Sequence, residues 1–445
     1  MLPIRETPAG FVANGDTPSN HRCTLVGERA QPGKYEAILA ELNVYSEVTV
    51  SEGGYCALHR HTFRSGWANN PPPPGLGRRP TTTTTTAAVP VPVPNAAAGA
   101  SRSRSSPPPL HASIAVELSA AGLAIPGYAV QLCQGITASI SADKRTVRGS
   151  ILTPLPVVSG GKTPAPAVPP PLELFFCIQF STPLTIQAFW PASINKGGPT
   201  TIKLTAAQIA AAGGSVGILA SAATLSEDAP VELRVGCSLK DEATAATNVK
   251  AASSTAFDAT VNAAWREWNG ALSRILIKDD GGTSPGVAQS KQVFYSNLYH
   301  ALKKPNDFTA QVPTSYTPNM KYPGYAFDYG TLWDQYKCLI PLLTSVYPEK
   351  ATFLLQGLCN YAQTHGYYPN GLTMENCGTI AADDRFSGQA NGLAYVAPYF
   401  RSLPCMSRPT RFEFEADVCT MDWLVMQHAR VRLGTTLLQT HAPAD

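Results

Sequence analysis

A chain of 445 residues with a formal net charge of +3 and only 15% charged side chains carries no strong field of either sign. That balance excludes a general nucleic-acid binder, because the Lys and Arg residues are scattered and no recognition motif accompanies them. It leaves room for two or three domains, each large enough to bury a core. No run of about 18 apolar residues occurs, so no membrane-spanning helix is expected. The opening MLPIRETPAGFVANGD lacks the apolar stretch of a signal peptide. The expectation is a cytoplasmic chain without membrane contact, or a secretory-pathway or extracellular one if the N-terminus is incomplete.

Ten cysteines (Cys23, Cys56, Cys133, Cys177, Cys237, Cys338, Cys359, Cys377, Cys405 and Cys419) include no CxxC pair, and most stand in apolar runs. Buried thiols are expected, rather than a disulfide framework or a zinc site.

Residues 1–20 read as loop or an incomplete edge. From Tyr35 the pattern turns to strand, with alternation in EVTV and in YCALHRHTF. Gly53-Gly54 between them predicts a hairpin turn. His59 and His61 raise the question of a metal cluster. On the premise that neighbouring strand positions point to opposite faces, a packing role is expected instead. Residues 66–110 are of low complexity, with PPPPG, six consecutive threonines, PVPVP and SRSRSSPPP. Such composition cannot bury enough apolar surface to offset the entropy of ordering, so a disordered insertion is expected, its Ser-Arg run solvated rather than RNA-binding.

Strands resume with SIAVELS (113–119) and YAVQLC (128–133), and ITASISADKRTVRGSIL (136–152) predicts a hairpin turning at Asp143-Lys144. A second Pro-rich insertion, 154–171, precedes LELFFCIQFS, LTIQAFW, TIKLT, GSVGILAS and PVELRVGCSL. At least eight short strands with turn signals and no intervening helix argue for an antiparallel β-sandwich over 21–240. The character changes at Asp241: residues 241–289 read as a helical linker in which Trp265, Trp268, Leu272 and Ile275 recur at helical spacing. Both tryptophans are expected in the core. Further helices are predicted at about 290–304, 331–346, 349–365, 387–401 and 412–430, joined as antiparallel hairpins.

The stretch 328–384 concentrates the chemistry. A Trp-Asp pair, Trp333 and Asp334, opens one apolar helix, and a second follows Pro348 and ends at His365-Gly366. An aromatic, Pro- and Gly-bearing loop then carries Glu375, Asp383 and Asp384. Loops held by a rigid scaffold are where binding and catalysis concentrate. Aromatic rings beside carboxylates suit sugars, since a pyranose stacks its apolar face on a ring while acids handle its oxygens.

Several blocks carry a family resemblance. GERAQPGKY (27–35) followed by LAELNVYSEVTVSEGGYCALHRHTF resembles the "E.A.PGYY…aELTAT.r.g.HRYTF" block of family 92 glycoside hydrolases, the calcium-dependent exo-α-mannosidases. VELRVGCSLKDEATAATNV (231–249) is similar to that family's "v.vkvgiSfvs.e.A..Nl", and WREWNGALSRILI to its "W...L..I.v". QVFYSNLYHALKKPNDF resembles "FYtaLYht.l.Pn.f", GTLWDQYKCLIPLLTSVYPEK resembles "fSlWDtyra.hPLltl..P", and HGYYPNGLTMENCGTIAADD resembles "gGwlP.w...eTncMiGdha". The matches are collinear over roughly 27–65 and 113–400.

The resemblance implies an α+β chain of two domains, an antiparallel β-sandwich followed by an (α/α)6 toroid of helical hairpins, here partial over 290–445. It implies an inverting α-1,2-type exo-mannosidase trimming terminal mannose from N-glycans, with bound Ca2+. Inversion uses a carboxylic acid on the leaving oxygen and a carboxylate base on water, held about 6.5–9.5 Å apart. Glu375 takes the place of the catalytic acid, and Trp333 and Asp334 that of the pair shaping the sugar subsite. Tyr299 and His300 match the Tyr-His block, and Asp383 is a further substrate or supporting group. Asp383 and Asp384 also read simply as acids at a helix N-terminus, where they are favoured anyway. The family's opening block and its downstream "G..DxGxMSxW" motif, bearing the general base, do not occur, so base and calcium ligands are expected outside the chain and the chain alone inactive. The alternatives are a non-catalytic carbohydrate-binding or interaction protein derived from that fold, and another toroid glycosidase of phosphorylase-like or trehalase-like type.

Overall fold

A computed structural model describes residues 2–4, 25–40, 42–63, 110–119, 133–153, 172–225, 229–277, 285–312, 324, 326–327, 330–331, 335, 338–365 and 371–372. The chain divides into two compact units, one of Met1–Gly149, Phe176–Gly236 and Ala246–Trp265, the other of Ser150–Phe175, Cys237–Ala245 and Arg266–Asp445. The expected strand at 128–133, the helices at 387–401 and 412–430, and the disordered insertions lie, but for Cys133 and Leu110, outside the described residues. Among the described residues no helix is long and apolar enough to cross a membrane.

Strands come first, helices after. The strands are β1 (Leu2–Ile4), β2 (Leu25–Gln31), β3 (Lys34–Leu39), β4 (Val44–Val50), β5 (Cys56–Phe63), β6 (Leu110–Glu117), β7 (Gly135–Ile140), β8 (Thr146–Thr153), β9 (Leu172–Phe180), β10 (Thr185–Trp190), β11 (Thr201–Thr205), β12 (Gly217–Leu225) and β13 (Pro230–Ser238), with α1 (Ala206–Ala211) between β11 and β12. They form a four-stranded sheet of order β1-β6-β12-β10 and a nine-stranded sheet of order β11-β7-β8-β9-β13-β5-β4-β3-β2. The run from β2 through β13 is antiparallel at every step. Turn chemistry explains the hairpins. Gly53 and Gly54, at φ 79° and 77°, carry the β4–β5 turn in the left-handed region that glycine enters without a steric cost. Lys144 turns at φ 55° between β7 and β8, where the Asp143 carboxylate accepts from the Arg145 amide at 3.1 Å.

The register of the large sheet sets a row of charges across five strands. Arg29 stands opposite Glu36, Glu36 opposite Glu47, Glu47 opposite Arg60, and Arg60 opposite Glu232. Two adjacent acids would repel, but Lys34 Nζ reaches Glu36 at 2.6 Å and Glu47 at 2.7 Å. The Arg60 guanidinium then grips Glu47 with two nitrogens, at 2.7 and 3.1 Å. Burial works to raise the Glu47 pKa, yet the hydrogen bonds from Arg60 and Lys34 outweigh it and hold the carboxyl below the usual range.

Two further helices follow, α2 (Glu242–Ser253) and α3 (Phe257–Leu272). Within the first unit, Arg60 ties the start of α3 to the sheet. It donates to Asp258 at 2.7 and 3.0 Å and lies 4.1 Å over the Phe257 ring. The β2–β3 turn passes close beneath the same helix. A side chain at Gly33, whose φ is +85°, would sit 2.8 Å from the Ala264 methyl. Only glycine meets both demands. At the far edge β2 is exposed, with Leu25 and Val26 46% and 49% accessible, and its pairing with β3 shifts between Val26 and Arg29.

The histidines correct one expectation. Positions 59 and 61 are two apart and therefore share a face of β5, and their rings stand 6.1 Å apart in a stacked arrangement. The neighbouring residue on the opposite face is Arg60. Ser46 Oγ lies 2.9 Å from His61 Nδ1. Burial takes His61 from the usual 6.5 down to about 3 and His59 to about 4. Six cysteines are described as thiols, with Cys56, Cys133, Cys177 and Cys359 buried, Cys237 intermediate and Cys338 exposed. The last runs against the expectation of burial.

Two measurements follow from this packing. Arg60→Ala leaves Glu47 buried with only Lys34 to neutralise it and is expected to cost about 2–4 kcal/mol in urea unfolding. Asp258→Ala is expected to cost under about 1 kcal/mol, since that carboxylate is solvent-exposed; equal costs would reject the buried half as the dominant one. Because both histidines titrate lower when folded than unfolded, their contribution is complete above about pH 6.5 and is lost as pH falls toward 3. Unfolding free energy should therefore drop by up to about 1.4 kcal/mol per pH unit for each ring, and a flat profile between pH 6.5 and 4 would contradict their burial.

Candidate functional site

The second unit holds the residues that the sequence singles out for sugar chemistry. Its described helices after α3 are α4 (Pro285–Ala301), α5 (Leu339–Val346) and α6 (Pro348–His365), with four short strands, β14 (Asn306–Asp307), β15 (Ala326–Phe327), β16 (Gly330–Thr331) and β17 (Gly371–Leu372). The predicted helix at 331–346 is shorter than expected at its start. Thr331 itself lies in β16, where it pairs with Gly371; Gln335 is helical and a helix is described over Leu339–Val346. Pro341 is tolerated in α5 because it falls in the first turn, where an amide has no intrahelical partner to lose.

Of the predicted site residues, Tyr299 and His300 are described, at the end of α4. The Tyr299 ring meets Trp268 of α3 at 4.4 Å between centroids, tilted by 52°, and Lys303 Nζ stands 5.2 Å from the same ring. Tyr299 is thus committed to packing α3 against α4. His300 is exposed, edge-on to Tyr299 at 5.6 Å. Trp268 is only partly buried, so its packing role is at a helix seam rather than deep in the core. Glu375, Trp333, Asp334 and Asp383 lie outside the described residues.

What the described residues do settle is how the chain leading to those positions is held. Asn306 pairs with Phe327 and Asp307 with Ala326, so the segment after the Tyr-His block is joined to the one approaching Trp333. Gly330 pairs with Leu372 and Thr331 with Gly371, which joins chain two residues before Trp333 to chain three residues before Glu375. Two ladders of two residues each thus join 306–307 to 326–327 and 330–331 to 371–372. Asn360 anchors this run from α6. It is 1% exposed, and its Nδ2 donates to the Gly324 carbonyl at 2.7 Å. Gly324 is required there, since a side chain would come within 2.8 Å of the Phe353 ring.

The helices beneath are cross-tied by polar contacts at their ends. Tyr347 OH donates to the Ala271 carbonyl at 3.1 Å, and Arg274 lies 5.0 Å over the Tyr347 ring, pairs with Glu349 at 2.5 Å and caps the Val346 carbonyl at 3.2 Å. Lys350 Nζ donates to the Leu302 carbonyl, and burial holds this amine below the usual lysine range against the pull of Glu349 and Glu267. These contacts were not legible as motifs. Their signal was only a Lys or Arg near a helix end, a pattern too common to single out.

Calcium needs six to eight oxygen ligands in one place. Among the described residues no group of three or more His, Cys, Asp or Glu is gathered in that way, so the described side chains do not by themselves make a calcium site.

Comparison with known proteins agrees with the motif reading. Residues 244–384 match the model of the glycosyl hydrolase family 92 catalytic domain, and the resemblance to that family therefore holds along this stretch. No curated protein matches the chain. Among solved structures, a family 92 α-mannosidase from Bacteroides thetaiotaomicron aligns with a TM-score of 0.52 at 15% identity, over 84% of this chain and 41% of that one. The same enzyme in complex with mannoimidazole aligns with a TM-score of 0.51 at 15% identity, over 89% and 44%. A family 92 inverting mannosidase from strain VPI-5482 aligns with a TM-score of 0.49 at 16% identity, over 80% and 38%. The chain thus spans about two-fifths of the length of these enzymes, and the fold it shares with the first two is α+β with antiparallel sheets.

If Tyr299 serves the α3–α4 seam, Trp268→Ala and Tyr299→Ala should each destabilise the chain by about 1–3 kcal/mol and show a coupling of about 0.5–1.5 kcal/mol in a double-mutant cycle. His300→Ala should stay within about 0.5 kcal/mol of the parent. Additive single costs in denaturant titrations would remove the ring pair as the reason for the Tyr residue.

Proposed function

We propose that this chain is the sugar-binding and acid-bearing part of an inverting exo-α-mannosidase of family 92, acting on terminal α-linked mannose of N-glycans. Glu375 serves as general acid, protonating the leaving glycosidic oxygen. Trp333 stacks on the apolar face of the terminal mannose while Asp334 accepts from its hydroxyls, with Asp383 supporting the same ring. The observation that carries the reading is the pair of short ladders at β14–β15 and β16–β17, inside the stretch 244–384 that matches the family 92 catalytic domain. They join chain after the Tyr-His block to chain before the Trp-Asp pair, and chain before that pair to chain before the Glu-bearing loop.

In this reading α3 to α6 belong to an (α/α)6 toroid, and Tyr299 and His300 line its inner end rather than touch the scissile bond. Ca2+ enters through the family resemblance, as a ligand for vicinal mannose hydroxyls. Acid catalysis by a positioned carboxyl contributes typically 10²–10⁴-fold, which sets the size of the expected defect.

The test is release of mannose from α-1,2-linked mannobiose and from a high-mannose N-glycan, with calorimetric binding of mannose measured alongside. In a protein that also supplies the general base, Glu375→Gln is expected to lower kcat by about 10²-fold or more with KM nearly unchanged, and Trp333→Ala to weaken mannose binding. Binding without release even when that base is supplied would replace the enzyme with a carbohydrate-binding protein. Neither binding nor release would end both readings.

A further inference from the structure

His59 and His61 stand two residues apart on β5, so both imidazoles leave the same face of one strand, 6.1 Å apart. A histidine in a sheet interior is ordinarily a packing group whose two nitrogens are both satisfied. His61 departs from that pattern. It is 3% exposed, its Nδ1 is tied to Ser46 Oγ at 2.9 Å, and its Nε2 is buried without a hydrogen-bond partner. When the serine oxygen accepts from Nδ1–H, the lone pair is left on Nε2, in the tautomer that ligating histidines adopt. The ring is oriented by a neighbour and its other nitrogen is left without a role in packing.

From this geometry we propose that His59 and His61 chelate a divalent transition metal of the Zn2+, Ni2+ and Cu2+ class through their imidazole nitrogens, with solvent oxygens completing the shell. The class follows from the donors: imidazole suits these borderline cations, whereas Ca2+ and Mg2+ demand oxygen ligands. The residues opposite the pair are Val48 and Leu233 for His59, and Ser46 and Val231 for His61. The apolar members of that set supply no competing ligand, and Ser46 acts by fixing the His61 ring. His59, partly exposed, gives the ion its way in. Burial also keeps both rings unprotonated at neutral pH, so the metal would not have to displace a proton. The block that HRHTF resembles reads HRYTF, with tyrosine where His61 stands, so the second imidazole is a feature of this chain.

The test is titration of the metal-stripped chain with Zn2+ and with Ni2+ by calorimetry, with thermal unfolding followed in parallel. The expected result is one equivalent bound and a Tm that rises with the logarithm of metal concentration. His59→Ala and His61→Tyr should each lower the affinity at least tenfold and abolish the rise. His61→Tyr fills its own space with the residue the resembled block carries; if it fails to fold, His59→Ala decides alone. No binding by the parent chain would overturn the proposal. So would binding that survives His59→Ala, since the ion would then be held elsewhere, by cysteine thiolates for example.

Discussion

The guanidinium of Arg60 is the contact on which the first unit depends. It closes a two-nitrogen grip on Glu47 at 2.7 and 3.1 Å, reaches Asp258 in the first turn of α3, and covers the Phe257 ring. Remove Glu47 and the arginine is left half-buried with donors unmet, whereas Asp258 is exposed and its loss is screened by solvent. The planar fork suits this role as a lysine would not, because it satisfies two carboxylates and an aromatic face at once. The sheet therefore holds the helical segment through charge as well as through apolar contact. The resembled GERAQPGKY and HRHTF blocks contribute Lys34 and Arg60 to that hub. Their prominence as sequence motifs has a structural reason, quite apart from catalysis.

In the second unit α4, α5 and α6 are accompanied by four short strands that pair in two ladders. Asn360 of α6 holds the Gly324 carbonyl, and two short ladders set which described segments lie beside one another.

Much of the fold could be read from local chemistry. Gly53-Gly54 and Asp143-Lys144 marked their hairpins because a turn is decided by a few residues in a row. Helix is expected over 241–289, from the spacing of Trp265, Trp268, Leu272 and Ile275, and at about 349–365, and Glu242–Ser253, Phe257–Leu272 and Pro348–His365 are helical. What local reasoning lost was anything set by register. The expectation that His59 and His61 take opposite faces fails because alternation by two places them together. The charge row of Arg29, Glu36, Glu47, Arg60 and Glu232 is visible only once five strands are aligned. Thr331 was read into a helix because a two-residue ladder to Gly371, forty residues on, has no periodicity to betray it. As for the candidate site, the Tyr-His block was legible as a motif, but the ring of Tyr299 turned out to serve Trp268, a partnership between helices that spacing along one helix cannot reveal.

The exposed edge at β2 has a further meaning. A long, flat outer strand with accessible Leu25 and Val26 would offer its unpaired amides and carbonyls to any passing extended chain. Here the strand is broken by a shift of register at Gly27, whose φ of +62° turns the backbone out of line, and it carries Glu28 and Arg29 just beyond. The kink denies a neighbour the straight template that fibril growth requires. The straight outer edge of this sheet is thus interrupted by backbone geometry at a single glycine, independent of the charge balance of the surface.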